Sequence, residues 1–275
     1  MDASLDPSQP TYTVVCPNCD HAMFGKYCQH CGQKKIDHHE FAVRHFVGHL
    51  IHEITHLDSN KIARTFSHLL SRPGLLAREY LAGRKGKYIN PIRVYLTVSA
   101  LYFLFAWGAL SNAGGGGVET TAARPNFIQI AKSKGVDPVV LATKTHEKAG
   151  RYSAFLRFGS VLLSGFFLTA LYFGTGRYYV EHLIFSLYFY SFDFLAKCVV
   201  AIFYLSSDYI GTNAYLASRI LYYCVAFIYL FFALLRVYPE PWPKTLFKTS
   251  VLFGLEVLLF IAVNVTGFML AVALA

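Results

Sequence analysis

Charge is what this chain has least of: 15% of its 275 residues are charged, 55% are hydrophobic, and the mean hydropathy is +0.39. A water-soluble domain of this size needs more polar surface than that, so the soluble class is excluded. Acidic residues are scarcest, 16 against 25 Lys and Arg, which leaves a formal charge of +9. Between Lys34 and Arg93 stand 11 Lys or Arg and only 5 Asp or Glu, so most of the excess precedes the first long apolar run. Basic residues there form the usual cytoplasmic flank of a membrane span and attract anionic lipid headgroups. No aromatic-and-basic module accompanies them, and nucleic acid is not expected as a partner.

Cysteine is also rare. Four of the 6 lie within residues 16–31, while Cys198 and Cys224 are isolated in apolar runs. That excludes a secreted disulfide framework and places the N-terminus in a reducing cytosol. Residues Met1 to Thr13 are polar and lack the apolar core of a secretory signal, so the first span serves as the insertion signal. Neither a GxSxG nucleophile elbow nor a GxxxxGK[ST] P-loop is present, and no internal repeat supports an inverted-repeat transporter. The balance is against an enzyme.

What is present begins with "CPNCDHAMFGKYCQHCGQ". Cys16 and Cys19, then Cys28 and Cys31, make two CxxC turns that can surround one tetrahedral metal ion, with thiolates about 2.3 Å from zinc. A stretch this short buries no core, so Zn2+ supplies the folding energy. Gly25 is available for positive φ in the connecting hairpin and Gly32 for the turn after the last ligand. An iron site or a redox dithiol pair shares the pattern, and His21 and His30 are substitute ligands. Four thiolates close the shell, so the ion is structural. Residues 1–15 are expected to be disordered and 16–33 to form the zinc ribbon.

Residues 34–90 are read as amphipathic, histidine-rich juxtamembrane helices. Nine of the 11 histidines fall between His21 and His68. On a helix from about Glu40 to Leu57, His45, His49, His52 and His56 form a stripe about 60° wide, opposite Val43, Phe46, Leu50 and Ile54. The stripe is a second metal site or pH-sensing surface, since imidazole titrates near pH 6.5, or else the polar face of a helix lying on the membrane. Asp58-Ser59-Asn60 restarts the chain for a helix over about 61–70, and Pro73-Gly74 separates it from another over 75–81. In "GRKGKY", Arg84, Lys85 and Lys87 flank glycines and could hold a phosphate headgroup, or act only as positive flank.

The rest, 91–275, is read as a helical bundle of about five spans, near 94–113, 155–173, 182–205, 214–235 and 247–273, with a polar insert over 111–152. Loop cations Arg177, Arg236, Lys244 and Lys248 orient the N-terminus to the cytoplasm, and an odd number of spans puts the C-terminus outside. Ionisable residues inside spans are functional candidates or interhelix glue. Asp193 and Lys197 are one turn apart, Arg219 and Glu256 offer a second pair, and Asn264 lies deeper. Glu181 and His182 open the third span near the basic flank, which suggests a pocket shared with Arg84.

The ribbon ending in "CGQ", "RTFSHLLSRPGLLAREYLAGRKGKYINPIRVYL" and "YYVEHLIFSLYFYSF" together resemble a bacterial membrane family known as domain of unknown function 3667. The resemblance spans most of residues 16–200 and rests on the four cysteines, Thr65, Leu69, Leu70, Pro73, Gly74, Gly83, Arg84, Tyr88, Pro91, Glu181 and His182. It implies a ribbon-plus-bundle fold in a bacterial inner membrane, and no known chemistry. Tyr188 and Tyr190 stand where the family pattern has further histidines, which counts against a metal site around His182. Three functions follow: an interaction or scaffold protein whose ribbon captures a cytosolic protein partner; a transporter or lipid-modifying enzyme using Arg84, Lys85, Lys87, Glu181 and His182; and a metal or pH sensor read through the histidine stripe.

Overall fold

A computed structural model describes residues 14–23, 25–33, 59–112, 114–205 and 212–274. The helix expected over Glu40 to Leu57, with its four-histidine stripe, lies outside these residues. The chain opens with a two-stranded antiparallel hairpin, β1 (Val14–Val15) against β2 (Ala22–Met23). Two short helices follow, α1 (Ser59–Ser71) and α2 (Leu75–Leu81), then α3 (Pro91–Asn112). After α4 (Gly114–Ala122) and α5 (Pro125–Lys134) come four long helices: α6 (Pro138–Leu171), α7 (Tyr179–Leu205), α8 (Thr212–Val237) and α9 (Trp242–Leu274). These last four are long and apolar enough to cross a membrane. The apolar part described in α3, Pro91–Phe105, is shorter, so among the described residues four helices, and not the expected five, have the length of a span.

Two boundaries differ from expectation. Val14 and Val15 belong to the ribbon hairpin rather than to a disordered leader. The polar insert is largely helical, and the span expected to start near residue 155 is the second half of the 34-residue α6. Local chemistry accounts for this. Asp137 caps α6 by accepting from the Val139 and Val140 backbone N–H groups at 2.8 and 3.2 Å, and Pro138 occupies the first helical position. Gly135 ends α5 at φ 66°. Phe127, Ala131, Leu141 and Ala142 make a small separate core there. Lys134 and Lys148 donate to the last carbonyls of α9, Val272 at 2.8 Å and Leu274 at 2.5 Å, supplying cations to a helix C-terminus.

Helices α6, α7, α8 and α9 close a ring, each packed on the next, with α3 outside against α7. Helix α7 is central: 61% of its apolar window is buried, against 17–33% in the other three. The ring buries an apolar core that includes Leu168, Ile184, Phe185, Leu230 and Leu252, sets hydroxyls beside it, and is apolar without. Ser160, Ser164, Ser186, Ser191, Thr245 and Thr249 are buried, whereas Phe155, Phe166, Ile220, Leu258 and Met269 are exposed. In lipid no hydrophobic force draws helices together, and small residues and hydrogen bonds do so instead. A Cβ on Gly267 of α9 would stand 2.5 Å from the Ser153 Oγ of α6, so glycine permits that closest approach.

One end of the ring carries α1 and α2. The buried face of α1 is Thr65 and Leu69, one turn apart. Thr65 Oγ1 donates to the Lys61 carbonyl at 2.7 Å and accepts from the Ile89 N–H at 3.1 Å, tying α1 to the chain entering α3. From α8, the Tyr229 hydroxyl donates to the Leu69 carbonyl at 2.8 Å and Arg236 donates to the Pro73 carbonyl. Gly74 sits at φ 72°, and a Cβ there would meet the Ala233 carbonyl oxygen at 2.6 Å. The Pro73-Gly74 break is thus a contact with α8 as well as a turn.

Candidate functional site

The four cysteines converge. The Cys16 and Cys31 sulfurs are 3.6 Å apart, those of Cys19 and Cys28 3.5 Å, and all four lie within 4.8 Å of one another. Tetrahedral thiolates about 2.3 Å from one ion are about 3.8 Å apart, whereas a disulfide would draw two sulfurs to about 2.05 Å. The cluster fits a metal ion. Both halves have the same backbone form. Cys16 N–H donates to the His21 carbonyl at 2.8 Å and Asp20 N–H to that of Cys16 at 2.9 Å; Cys28 N–H donates to Gln33 and Gly32 N–H to Cys28, both at 2.8 Å. The fifth position of each turn has positive φ, Asp20 at 59° and Gly32 at 72°. Gly25 takes φ 99° in the connection, as expected. Hydrogen bonding from Asn18 and the Gln33 backbone pulls the Cys31 thiol down to about 6, which favours the thiolate a metal needs. His21 and His30 stack at 3.8 Å beside the cluster.

The ribbon docks on the basic turn after α2. The Gln33 amide donates to the Gly83 carbonyl and accepts from the Gly86 N–H at 3.3 Å. A Cβ on Gly86 would lie 2.8 Å from the Asn18 amide nitrogen, so glycine lets the ribbon seat. Arg84 turns back on α2 and grips Glu79 with two bonds of 2.5 and 2.6 Å. That pairing holds the Glu79 carboxyl below the usual carboxylate range. Lys85 lies over the Tyr80 ring at 5.2 Å and Lys87 is exposed. The glycines read as a phosphate cradle are therefore engaged by the chain's own Gln33.

Glu181 and His182 do not face Arg84. Glu181 accepts from the Tyr178 N–H at 3.3 Å, a helix-start contact. His182 is buried, with Nδ1 2.6 Å from the Tyr238 hydroxyl, and Tyr238 stacks on Tyr172 at 3.9 Å. Arg177 covers Tyr238 at 4.8 Å and Lys248 covers Tyr172 at 3.8 Å. The expected shared pocket gives way to an aromatic stack, because burial of His182 between α7 and the end of α8 turns it from the basic turn.

The cavity lies elsewhere, within the ring. It is a partly open cavity of about 720 Å³ lined by His146, Arg157, Tyr190, Asp193, Lys197, Arg219, Tyr222, Glu256 and Asn264, with Tyr102, Phe260 and Phe268 among its rings. Asp193 and Glu256 stand fourteen residues beyond the starts of α7 and α9, at Tyr179 and Trp242, and Arg157 fourteen before the end of α6 at Leu171. At a rise of 1.5 Å per residue, all three sit about 21 Å from the ribbon-side end, deep in the apolar slab. The expected Asp193–Lys197 pair forms at 2.5 Å, and the Tyr222 hydroxyl also donates to Asp193. Glu256 accepts from the Tyr190 hydroxyl at 2.6 Å, and it shares the cavity lining with Arg219. Arg157 donates to the Tyr102 hydroxyl and, at 3.3 Å, to Asn264 Oδ1, and its guanidinium lies 5.1 Å from the Phe260 ring centroid.

Arg157 is the functional candidate that sequence reading overlooks. A cation inside the span expected at 155–173 was its signal. Tyr190 and Tyr222 carried no such signal, since aromatic residues are ordinary in spans. His52-Glu53-Ile54-Thr55-His56 has the His-Glu-x-x-His spacing of zinc hydrolases, so the expectation against an enzyme wrongly counts that motif as absent; it lies outside the described residues.

A cysteine-clustered knob seated on a ring of long apolar helices defines a membrane-type helical protein with a candidate metal centre. Residues 59–103 match the family model described as "Protein of unknown function (DUF3667)", so this segment is similar to that family. The matched segment contains α1, α2, the basic turn and the start of α3, hence Thr65, Gly74, Glu79 and Arg84, whose contacts hold the ribbon-side end together. No curated protein and no solved structure matches the chain.

Proposed function

We propose that this chain is an integral membrane protein that takes a small ligand into the cavity ringed by α6 to α9, as a transporter or a lipid-modifying enzyme would. The carrying observation is the concentration of Arg157, Asp193, Lys197, Arg219 and Glu256 along one partly open cavity among apolar helices. Ionisable groups at such depth are expensive and are retained where they face a pathway or a site. Helix packing alone would be served by serine, threonine and glycine, which this ring already has.

In this reading the tetracysteine cluster binds Zn2+ and is structural, since four thiolates leave no open position for chemistry. Its work is to hold Gln33 and Asn18 on the Gly83–Gly86 turn. The ribbon faces the cytosol of a bacterial inner membrane and the C-terminus the periplasm; cation placement supports the orientation and family resemblance the setting. A second reading, capture of a cytosolic protein by the ribbon, is favoured by exposed Val15 and Tyr27 on the knob. The test is solvent and ligand access to the cavity. Ala154→Cys, which lines it, is expected to react with a small membrane-permeant thiol reagent in lipid nanodiscs, in a background with Cys198→Ser and Cys224→Ser. A cysteine at 154 as inert as one placed on buried Leu168 would remove the reading.

A further inference from the structure

Resting on the cavity reading, we propose that the ligand is an anionic amphiphile whose carboxylate or phosphate head is bound by Arg157. The cavity holds three fixed cations, Arg157, Lys197 and Arg219, and two carboxylates, Asp193 and Glu256. Lys197 is matched by Asp193 on its own helix. Arg157 has neutral partners only among the described residues: a tyrosine hydroxyl, an amide oxygen and two ring faces. Its Nε is buried without an acceptor.

Guanidinium stays protonated at any working pH. Arg157 is half-buried, and a partly desolvated cation without a counterion is unfavourable, with neutral dipoles offsetting only part of that cost. A planar fork with a vacant donor matches an oxyanion, which takes two parallel N–H bonds. The walls beside Arg157 describe the rest of the ligand. Tyr102 and Asn264 flank the head position, while Phe260, Phe268 and Phe103 supply an apolar surface for its body. A small hydrated anion would leave those rings against water, whereas a neutral amphiphile would leave Arg157 unmatched. An anion carrying an apolar body satisfies both.

The full-length protein in phosphatidylcholine nanodiscs is tested with radiolabelled dodecanoate, empty nanodiscs serving as the blank. Saturable binding is expected, displaced by dodecyl phosphate, with 1-dodecanol and inorganic phosphate each at least about tenfold weaker as competitors. Arg157→Gln should weaken dodecanoate by about tenfold or more, and Arg157→Lys should recover part of that loss. Ala154→Trp, which fills the cavity and keeps the guanidinium, should also abolish binding, so the result does not depend on one variant folding. Competition by dodecanol equal to that of dodecyl phosphate, or unchanged binding in Arg157→Gln, overturns the anionic head. Displacement by inorganic phosphate alone overturns the apolar body. Absence of any saturable binding instead removes the cavity reading on which the proposal rests.

Discussion

The knob and the ring solve the same problem in opposite ways. Residues 14–33 are too few to bury a core, and the buried apolar cluster among the described residues there is Cys16, Met23 and Cys28. An ion bound by four sulfurs can organise them instead. The ring has apolar residues in excess, enough to fill a buried core and cover the outer face, with hydroxyls and charges set along one inner cavity. One region is a short chain folded around a cysteine cluster; the other is apolar chain folded around an apolar core that also carries a polar cavity. The difference teaches where each is fragile. The knob depends on one ligand set, and the ring on close backbone approach and on charges that must stay matched.

That comparison predicts effects of graded size. Cys28→Ser should be the most disruptive: zinc by elemental analysis falls to background and the remaining thiols become reactive, while far-ultraviolet circular dichroism of the helices stays within a few per cent. Loss of bundle helicity in the same variant would show that the two regions are not separately held. Next comes the intramembrane pair. Asp193→Asn leaves Lys197 unmatched and should cost about 3 kcal/mol, whereas the double change Asp193→Leu with Lys197→Met should recover most of it, as read by thermal unfolding in detergent. Equal losses in the single and double variants would mean that the unmatched Lys197 charge is not what costs stability.

At the junction, Gly74→Ala must accept φ 72° and a collision with the Ala233 carbonyl at 2.6 Å. A cost of about 2–3 kcal/mol is expected, with faster proteolysis between α1 and α2. The smallest effect belongs to Glu79 and Arg84. Because this pairing depresses the Glu79 carboxyl, its stabilisation is complete above the ordinary glutamate range near pH 4.3 and fades as pH falls through the lower folded value. Arg84 is partly exposed, so the contribution is about 1 kcal/mol at most. Glu79→Gln should remove the pH dependence below pH 4.5 in ribbon-docking assays; an undiminished dependence would assign it to another group.

Much of this was legible in one dimension. The CxxC pairs announced their cluster because ligand spacing is local, and Asp193 with Lys197 announced an ion pair because residues four apart share a helix face. Four of the five expected spans followed from runs of apolar residues, with ends correct to within a few positions except in α6, whereas the first, near 94–113, meets only a shorter apolar helix among the described residues. There the polar first half of one continuous helix hid its start, and Asp137 with Pro138 was the overlooked cap. Glu181, His182 and Arg84 were grouped by loop proximity, yet the turn that carries Arg84 is occupied by Gln33 and His182 is turned onto Tyr238.

What the amino-acid order alone determined is therefore what neighbours along the chain can decide: a tetracysteine cluster, apolar helices, a basic approach to the bilayer and an i,i+4 charge pair. What only the tertiary structure decided is which helices meet. Arg157, Tyr190 and Glu256 come from α6, α7 and α9 and are far apart in sequence, yet one depth in the ring collects them. The physical reason is that the facing of a membrane helix is not set by the hydrophobic effect, since lipid and neighbouring helix are equally apolar. Steric fit at positions such as Gly267 and Gly74 sets it, and a fit between surfaces has no signature in either surface read singly.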